Sequence, residues 1–379
     1  MLKILQNARI FTSSNIVEGK SIVIENDKII DITATLKQTN NSSDQLIDLQ
    51  GHLLTPGFID TQVNGGDGIL FNNQSDVQAI TQIGKAHRAF GTTGFLATLI
   101  SDSDEVISKA ISAAKEAQKS KVPGFLGLHL EGPYLNTIKR GVHSDQHVRA
   151  PSSQSLATLK ELNAIGQSMV TIAPEVVGNA FIKELSDSGI IVSIGHTNAS
   201  YQCTTDAIAS GARGFTHLYN AMSALNSREP GAVGAALADN NTWCAIIVDG
   251  HHVHPVALKI AIAAKAERKV MLVTDAIHCV GAQGDVFNLA GQDIFRQNGK
   301  VTTRQGTLAG SDLDMASAVR NCVAMLDIPL EEALRMASLY PAQFLAIDDK
   351  YGKIAPGYQA SLTLLNQQLK VVNTWIDGA

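Results

Sequence analysis

The stretch IIVSIGHTN, residues 190–198, is apolar and β-branched until it turns polar at His196. Such a run, bounded by turn residues, reads as a buried strand whose end carries a functional group. Seven other stretches share the pattern: GFIDTQVNG (57–65), GTTGFLATLI (91–100), GFLGLHLEGP (124–133), SMVTIAPE (168–175), GFTHLYNAM (214–222), CAIIVDGHH (244–252) and VMLVTDAIH (270–278). Between them lie amphipathic stretches, among them 75–91, 104–120 and 254–269, with apolar positions every three or four residues. That spacing predicts one buried helix face. Eight strands alternating with helices predict an α/β fold, a (β/α)8 barrel of TIM type. A doubly wound open sheet is the competitor. The barrel is favoured because polar residues collect at the C-terminal ends of nearly all eight strands. A barrel converges those ends on one site, whereas an open sheet spreads them along an edge.

The two ends of the chain read differently. LKILQNARIFT, SIVIEND, KIIDIT and LIDLQGHLL near the start, and residues 352–378 at the finish, alternate like half-buried strands. This predicts a small β-sandwich domain built from residues 1–53 and 350–379, flanking a catalytic barrel over 54–349. The polar stretch TNNSSDQ near residue 40 reads as an exposed loop.

The chain has 379 residues, of which 45% are hydrophobic and 17% charged, with a net charge of -5. That balance is globular and excludes the broad basic face of a nucleic-acid binder. The four cysteines, Cys203, Cys244, Cys279 and Cys322, are widely spaced, as for reduced thiols in the cytoplasm. No run is long and apolar enough to span a membrane, and the N-terminus reads as a strand and not as a leader.

The strand ends supply the candidates for chemistry: Gln62 and Asn64 on the first, Glu131 on the third, His196 on the fifth, His217 on the sixth, His252 past the seventh and Asp275 on the eighth. His143 follows the third strand. Taken singly, each has an ordinary explanation as a hydrogen-bonded or capping residue. Together, one Glu and two His from separate strands make a three-ligand site with open positions for water. A neighbouring Asp can then accept a proton.

The motifs HLEGPYLN, KRGVHS, SIGHTNAS, FTHLYNAMSALNSREPG, VDGHHVH, LVTDAI and TLAGSDLDM resemble, in order, those of the N-acetylglucosamine-6-phosphate deacetylases of the amidohydrolase superfamily. The resemblance covers essentially the whole chain. It implies a cytoplasmic homodimer acting on a small sugar phosphate, hydrolysing N-acetylglucosamine 6-phosphate to glucosamine 6-phosphate and acetate. It implies one divalent metal per subunit, held by Glu131, His196 and His217. Zinc is the first choice; iron, cobalt and manganese suit the same donors. Asp275 is then base and acid in turn, and His143 stabilises the developing oxyanion. Asn220, the backbone of Ala221, Arg228 and His252 lie near the sugar or its phosphate.

Some superfamily members carry His-x-His on the first strand and bind a second metal there. Here the positions hold Gln62 and Asn64, and neutral amides are poor ligands beside imidazole. One metal is therefore expected. The two amides either position a water or tie down the loop NGGDG. The segment 276–310 either folds over the site as a lid or forms an inert hairpin. Rival readings are a different amidohydrolase acting on another N-acyl or cyclic amide, and a non-catalytic sugar-phosphate-binding protein. The second should have lost one of Glu131, His196, His217 and Asp275, and all four are present.

Overall fold

The structure, a computed structural model, describes residues 2–34, 43–289 and 291–379. Eight parallel strands form one sheet in sequence order: Phe58–Val63, Thr92–Ile100, Phe125–Glu131, Met169–Ile172, Ile191–Ile194, Gly214–Phe215, Trp243–Ile246 and Val270–Leu272. They are called the first to eighth strands below. Seven fall inside the stretches read from the sequence, and the seventh strand begins one residue before its stretch, at Trp243. The eighth strand returns to the first: Asp275 N–H donates to Gln62 O at 3.1 Å and Asn64 N–H to Ala276 O at 2.8 Å. The sheet is thus a closed barrel and not the open alternative.

Alternation along the third strand shows how the sequence sorts its side chains. Leu128 and Leu130 face the surrounding helices, whereas His129 and Glu131 point into the barrel. Below the site the interior is polar. His129 Nε2 meets Thr171 Oγ1 at 2.7 Å, Thr171 meets Thr216 at 2.7 Å, and Thr216 meets Ser193 at 2.7 Å. Each buried hydroxyl thereby has a partner, which removes the cost of desolvating it alone.

Several helices of the outer ring begin where a polar side chain accepts an orphan N–H. Asp76 caps Val77–Arg88, Ser103 caps Asp104–Lys119 and Ser200 caps Tyr201–Ala209. The predicted helix over 254–269 is shorter, Pro255–Ala264. It stops because Lys265 turns extended and sends its ammonium into a buried cluster of acceptors, Ala236 O, Asp239 O and Thr242 Oγ1.

Strands from both chain ends make two further sheets. One contains Leu2–Gln6, Lys20–Glu25, Lys28–Ala34 and Gln45–Asp48; the other contains Arg9–Phe11, Ile16–Val17, Leu53–Pro56, Leu362–Leu365 and Val371–Trp375. Leu5, Ile22 and Ile24 of the first sheet share a core with Ile10, Leu54, Leu362 and Trp375 of the second. Burying each such side chain stabilises the pair by roughly 1.5–3 kcal/mol. The stretch LKILQNARIFT, read as one strand, is in fact two strands in different sheets. Asn7 has φ 56°, and this left-handed residue lets the chain cross over. The loop reading near residue 40 falls largely on 35–42, outside the described residues.

The segment after the eighth strand is a three-stranded antiparallel sheet, Val286–Leu289, Gln292–Gln297 and Lys300–Thr303. Leu289, Ile294 and Val301 pack with Ile277, Leu70 and Ile100. This flap is therefore seated on the C-terminal face of the barrel.

Candidate active site

Glu131 ends the third strand, and its carboxylate is the hub of the site. Its Oε1 lies 2.8 Å from His217 Nε2 and 3.2 Å from His196 Nε2, and those two ring nitrogens are 3.0 Å apart. His196 and His217 stand two residues beyond their strands, and Asp275 stands three residues beyond the eighth. All three have left-handed backbones, with φ 47°, 34° and 52°. Non-glycine residues are held there only when the surroundings over-determine them, and such residues cluster at functional sites. Gly195, just before His196, lets the chain pass close to the fourth strand: a Cβ there would stand 2.6 Å from Thr171 Cγ2.

The hydrogen bonds fix the tautomers. His196 Nδ1–H donates to Lys139 O at 2.8 Å, which leaves the Nε2 lone pair facing Glu131. His217 Nδ1 is buried without a partner among the described residues. Two imidazole nitrogens and a carboxylate oxygen packed this closely repel one another unless a proton or a metal cation lies between them. Ligands at 2.0–2.1 Å around a tetrahedral zinc are about 3.3 Å apart, close to the separations here. The donor set fits a divalent metal.

His143 is buried and stacks edge-on against His196, with ring centroids 4.5 Å apart. One donor atom each from Glu131, His143 and His196 fits within 4.8 Å. His143 Nδ1, however, accepts from Ser101, from the backbone N–H at 3.2 Å and the hydroxyl at 2.8 Å. The proton of a neutral ring then sits on Nε2, and burial pushes the pKa down to about 3. A neutral N–H suits a hydrogen-bond donor better than a metal ligand.

Gln62 and Asn64 have a role that neither sequence reading foresaw. Gln62 Nε2–H donates to Glu131 Oε1 and to Asp275 Oδ1, both at 3.1 Å. Asn64 Nδ2–H donates to the same Asp275 Oδ1 at 2.8 Å. Two amides thus hold one oxygen of Asp275 and leave Oδ2 without a protein donor among the described residues. Burial first, and then the charge of Glu131, push the Asp275 pKa up to about 6.

A cavity of about 420 Å³ opens over these groups. Asn64, Glu131, His143, His196, His217, Asn220, Ala221, His252 and Asp275 line it, and the buried Gln62 lies behind them. Asn220 turns its amide N–H back to His217 O at 3.0 Å, so its carbonyl oxygen is available to the cavity. His252 Nδ1 meets Asp249 Oδ2 at 2.6 Å. Although burial opposes it, hydrogen bonding from His252 holds the Asp249 carboxyl below its usual range. Arg228 is not among the lining residues; it is exposed on the loop that leaves the sixth strand, without an ion-pair partner among the described residues. His254, read as an ordinary surface residue, caps the helix Pro255–Ala264.

Sequence reasoning missed the flap's share. Leu289, Lys300, Thr307 and Leu308 also line the cavity. The Gly-rich character of 276–310 pointed to the segment but to none of these side chains. Ser101, which orients His143, carried no signal, and Asp249, which orients His252, lay within the motif VDGHHVH without a role assigned to it.

The amidohydrolase family model matches residues 53–379. The chain belongs to the amidohydrolase family. Within this metal-dependent family it resembles amino-sugar-6-phosphate deacetylases, as its motifs imply. It is 41% identical to the N-acetylgalactosamine-6-phosphate deacetylase of Shewanella sp. (strain ANA-3), over 99% of this chain and 95% of that one. It is 36% identical to the N-acetylglucosamine-6-phosphate deacetylase of Haemophilus influenzae, over 99% and 98%. The solved N-acetylglucosamine-6-phosphate deacetylase of Pasteurella multocida superposes with a TM-score of 0.96 at 37% identity, covering 100% of this chain and 99% of that one. Like the rest of the chain, the flap falls inside that overlap. No helix among the described residues is long and apolar enough to cross a membrane.

Proposed function

We propose that this amidohydrolase removes the acetyl group of N-acetylglucosamine 6-phosphate, giving glucosamine 6-phosphate and acetate. The observation that carries the reading is the convergence of Glu131, His196, His217 and Asp275 in one cavity, in a chain aligned end to end with deacetylases of that substrate. Glu131, His196 and His217 are the residues that would hold a divalent metal. Such an ion, zinc first and iron, cobalt or manganese by the same donor chemistry, acts as a Lewis acid toward the acetyl oxygen and lowers the pKa of water.

The chain's own groups handle the protons. Asp275 takes a proton from the attacking water on Oδ2 and returns it to the nitrogen that leaves. Its Oδ2, which accepts from no protein donor among the described residues, is the oxygen free to do so. Gln62 and Asn64 keep its other oxygen fixed. His143 donates its Nε2–H to the acetyl oxygen as negative charge grows there. The phosphate end is assigned to Asn220, the backbone of Ala221, His252 and Arg228. The exposure of Arg228 supports a contribution to the cavity of a second subunit in a homodimer. The four unpaired cysteines support a cytoplasmic location. The shared core of the two terminal sheets supports a small β domain of residues 1–53 and 350–379 beside a catalytic barrel, although pairing of Leu53–Pro56 with Leu362–Leu365 carries that sheet past residue 53.

The 41% identity to a galactosamine-type relative favours a second reading, in which the C4 epimer N-acetylgalactosamine 6-phosphate is the substrate. Acetate release by purified protein from each 6-phosphate tests both. A higher kcat/KM on the glucosamine compound supports the first reading, and the reverse order supports the second. Turnover of neither would refute both.

A further inference from the structure

Among the described residues, Lys300 is the only lysine or arginine that lines the catalytic cavity, and it makes no hydrogen bond or ion pair there. Its position is well defined by the backbone. The strands Gln292–Gln297 and Lys300–Thr303 pair Gln297 with Lys300 and are joined by Asn298 and Gly299 alone. Both turn residues have positive φ, 53° and 73°, as in a type I′ hairpin, for which Asn-Gly is the preferred sequence. The turn lies over the loop leaving the seventh strand: a Cβ at Gly299 would stand 3.8 Å from His251 Nε2. Lys300 therefore sits beside the loop that carries His252, exposed and lining the cavity.

The charges of the cavity differ along its depth. The carboxylates of Glu131 and Asp275 are buried at the floor, where a divalent ion between the proposed ligands would offset them. The unpaired cation is on the flap. A substrate with one neutral acetamide and one phosphate dianion meets its complementary charge with the phosphate at Lys300 and the amide toward the floor.

We infer that Lys300 binds the substrate's 6-phosphate from within the same subunit, alongside the groups assigned to it above, and so contributes to the preference for phosphorylated substrates. This rests on the deacetylase reading above. The flap is thereby fastened to the substrate, because the phosphate bridges Lys300 on the hairpin and the His252 loop on the barrel. The flap, left open by the sequence as lid or inert hairpin, acquires a reason to close on the correct ligand.

The experiment compares wild type, Lys300→Ala and Lys300→Arg. The ratio of kcat/KM for N-acetylglucosamine 6-phosphate over unphosphorylated N-acetylglucosamine is measured for each. Lys300→Ala lowers that ratio by about 10- to 100-fold, the range for losing a charge-assisted contact, and Lys300→Arg restores most of it. An equal loss on both substrates would make Lys300 a structural part of the flap, and an unchanged ratio would take the phosphate away from it; either overturns the inference. Calorimetric binding of glucose 6-phosphate, with glucose as control, separates this from the deacetylase reading, because it needs no turnover. An inactive wild type would refute the reaction, whereas unweakened glucose 6-phosphate binding by Lys300→Ala would refute the role of Lys300 alone.

Discussion

Asn64→Leu removes the shorter of the two hydrogen bonds that hold Asp275 Oδ1, the one at 2.8 Å, and leaves the 3.1 Å bond from Gln62. A hydrogen bond to a charged group contributes about 1.5–3 kcal/mol. At about 1.4 kcal/mol per tenfold, kcat should fall by roughly 10- to 100-fold. KM should move little, because the amide acts on the base and not on the sugar. The fold should survive the change, since Gln62 still donates to Asp275 Oδ1 and the Asn64 Oδ1 that is lost was buried without a partner. The pH profile adds a second readout. The bond from Asn64 lowers the pKa of Asp275, opposing burial and Glu131. Without it the pKa rises, and because the base works ionised, the acidic limb of the profile moves to higher pH. The assay is steady-state acetate release from pH 5 to 9 on protein of known metal content. An unchanged kcat would refute the role given to the amide. A loss of kcat that tracked a loss of metal would refute it differently, by making Asn64 a ligand.

Asp275→Asn should keep its metal and lose on the order of 10²–10⁴-fold in kcat, whereas His196→Ala or His217→Ala should lose the metal itself; elemental analysis beside kinetics separates the two. Arg228→Ala should impair the phosphorylated substrate far more than the unphosphorylated one, and mixing Arg228→Ala with Asp275→Asn chains should restore part of the activity if Arg228 serves a neighbouring subunit. No recovery despite proven subunit exchange would confine it to its own chain. His278 is buried with both ring nitrogens unpartnered, and burial lowers its pKa to about 4. Between pH 6.5 and 4 the unfolded chain binds a proton there that the folded chain does not, so stability falls as pH falls through that window. His278→Leu should remove this loss, so that its gain in unfolding free energy is greater at pH 5 than at pH 7.5 by an amount on the order of 1 kcal/mol, read as a larger rise in the thermal midpoint at pH 5.

The barrel was legible because a buried parallel strand must be apolar until it reaches its functional end, so that VSIGH and LHLEG advertise both strand and site. Lost detail had local causes. The two strands within LKILQNARIFT share one alternating pattern, and only the left-handed Asn7 shows that they part. The helix over 254–269 ended early because Lys265 found buried acceptors that are distant in sequence. Metal and base candidates could be picked out as residue types at strand ends. Their tautomers and backbone conformations could not, since His196 depends on Lys139 O and His143 on Ser101. Gln62 and Asn64 were visible as an absence of histidine, but their hold on Asp275 is a contact across more than 200 positions of sequence. Lys300 looked like any other residue of a polar hairpin.

The central claim is that one metal at Glu131, His196 and His217 serves one base, Asp275. The measurement that tests it most directly is a titration of metal-depleted protein with a divalent cation, following acetate release from N-acetylglucosamine 6-phosphate against bound metal per chain. The account predicts negligible release from depleted protein and a linear rise that reaches its plateau at one equivalent. Full activity without metal, or a plateau reached only at two equivalents, would contradict it.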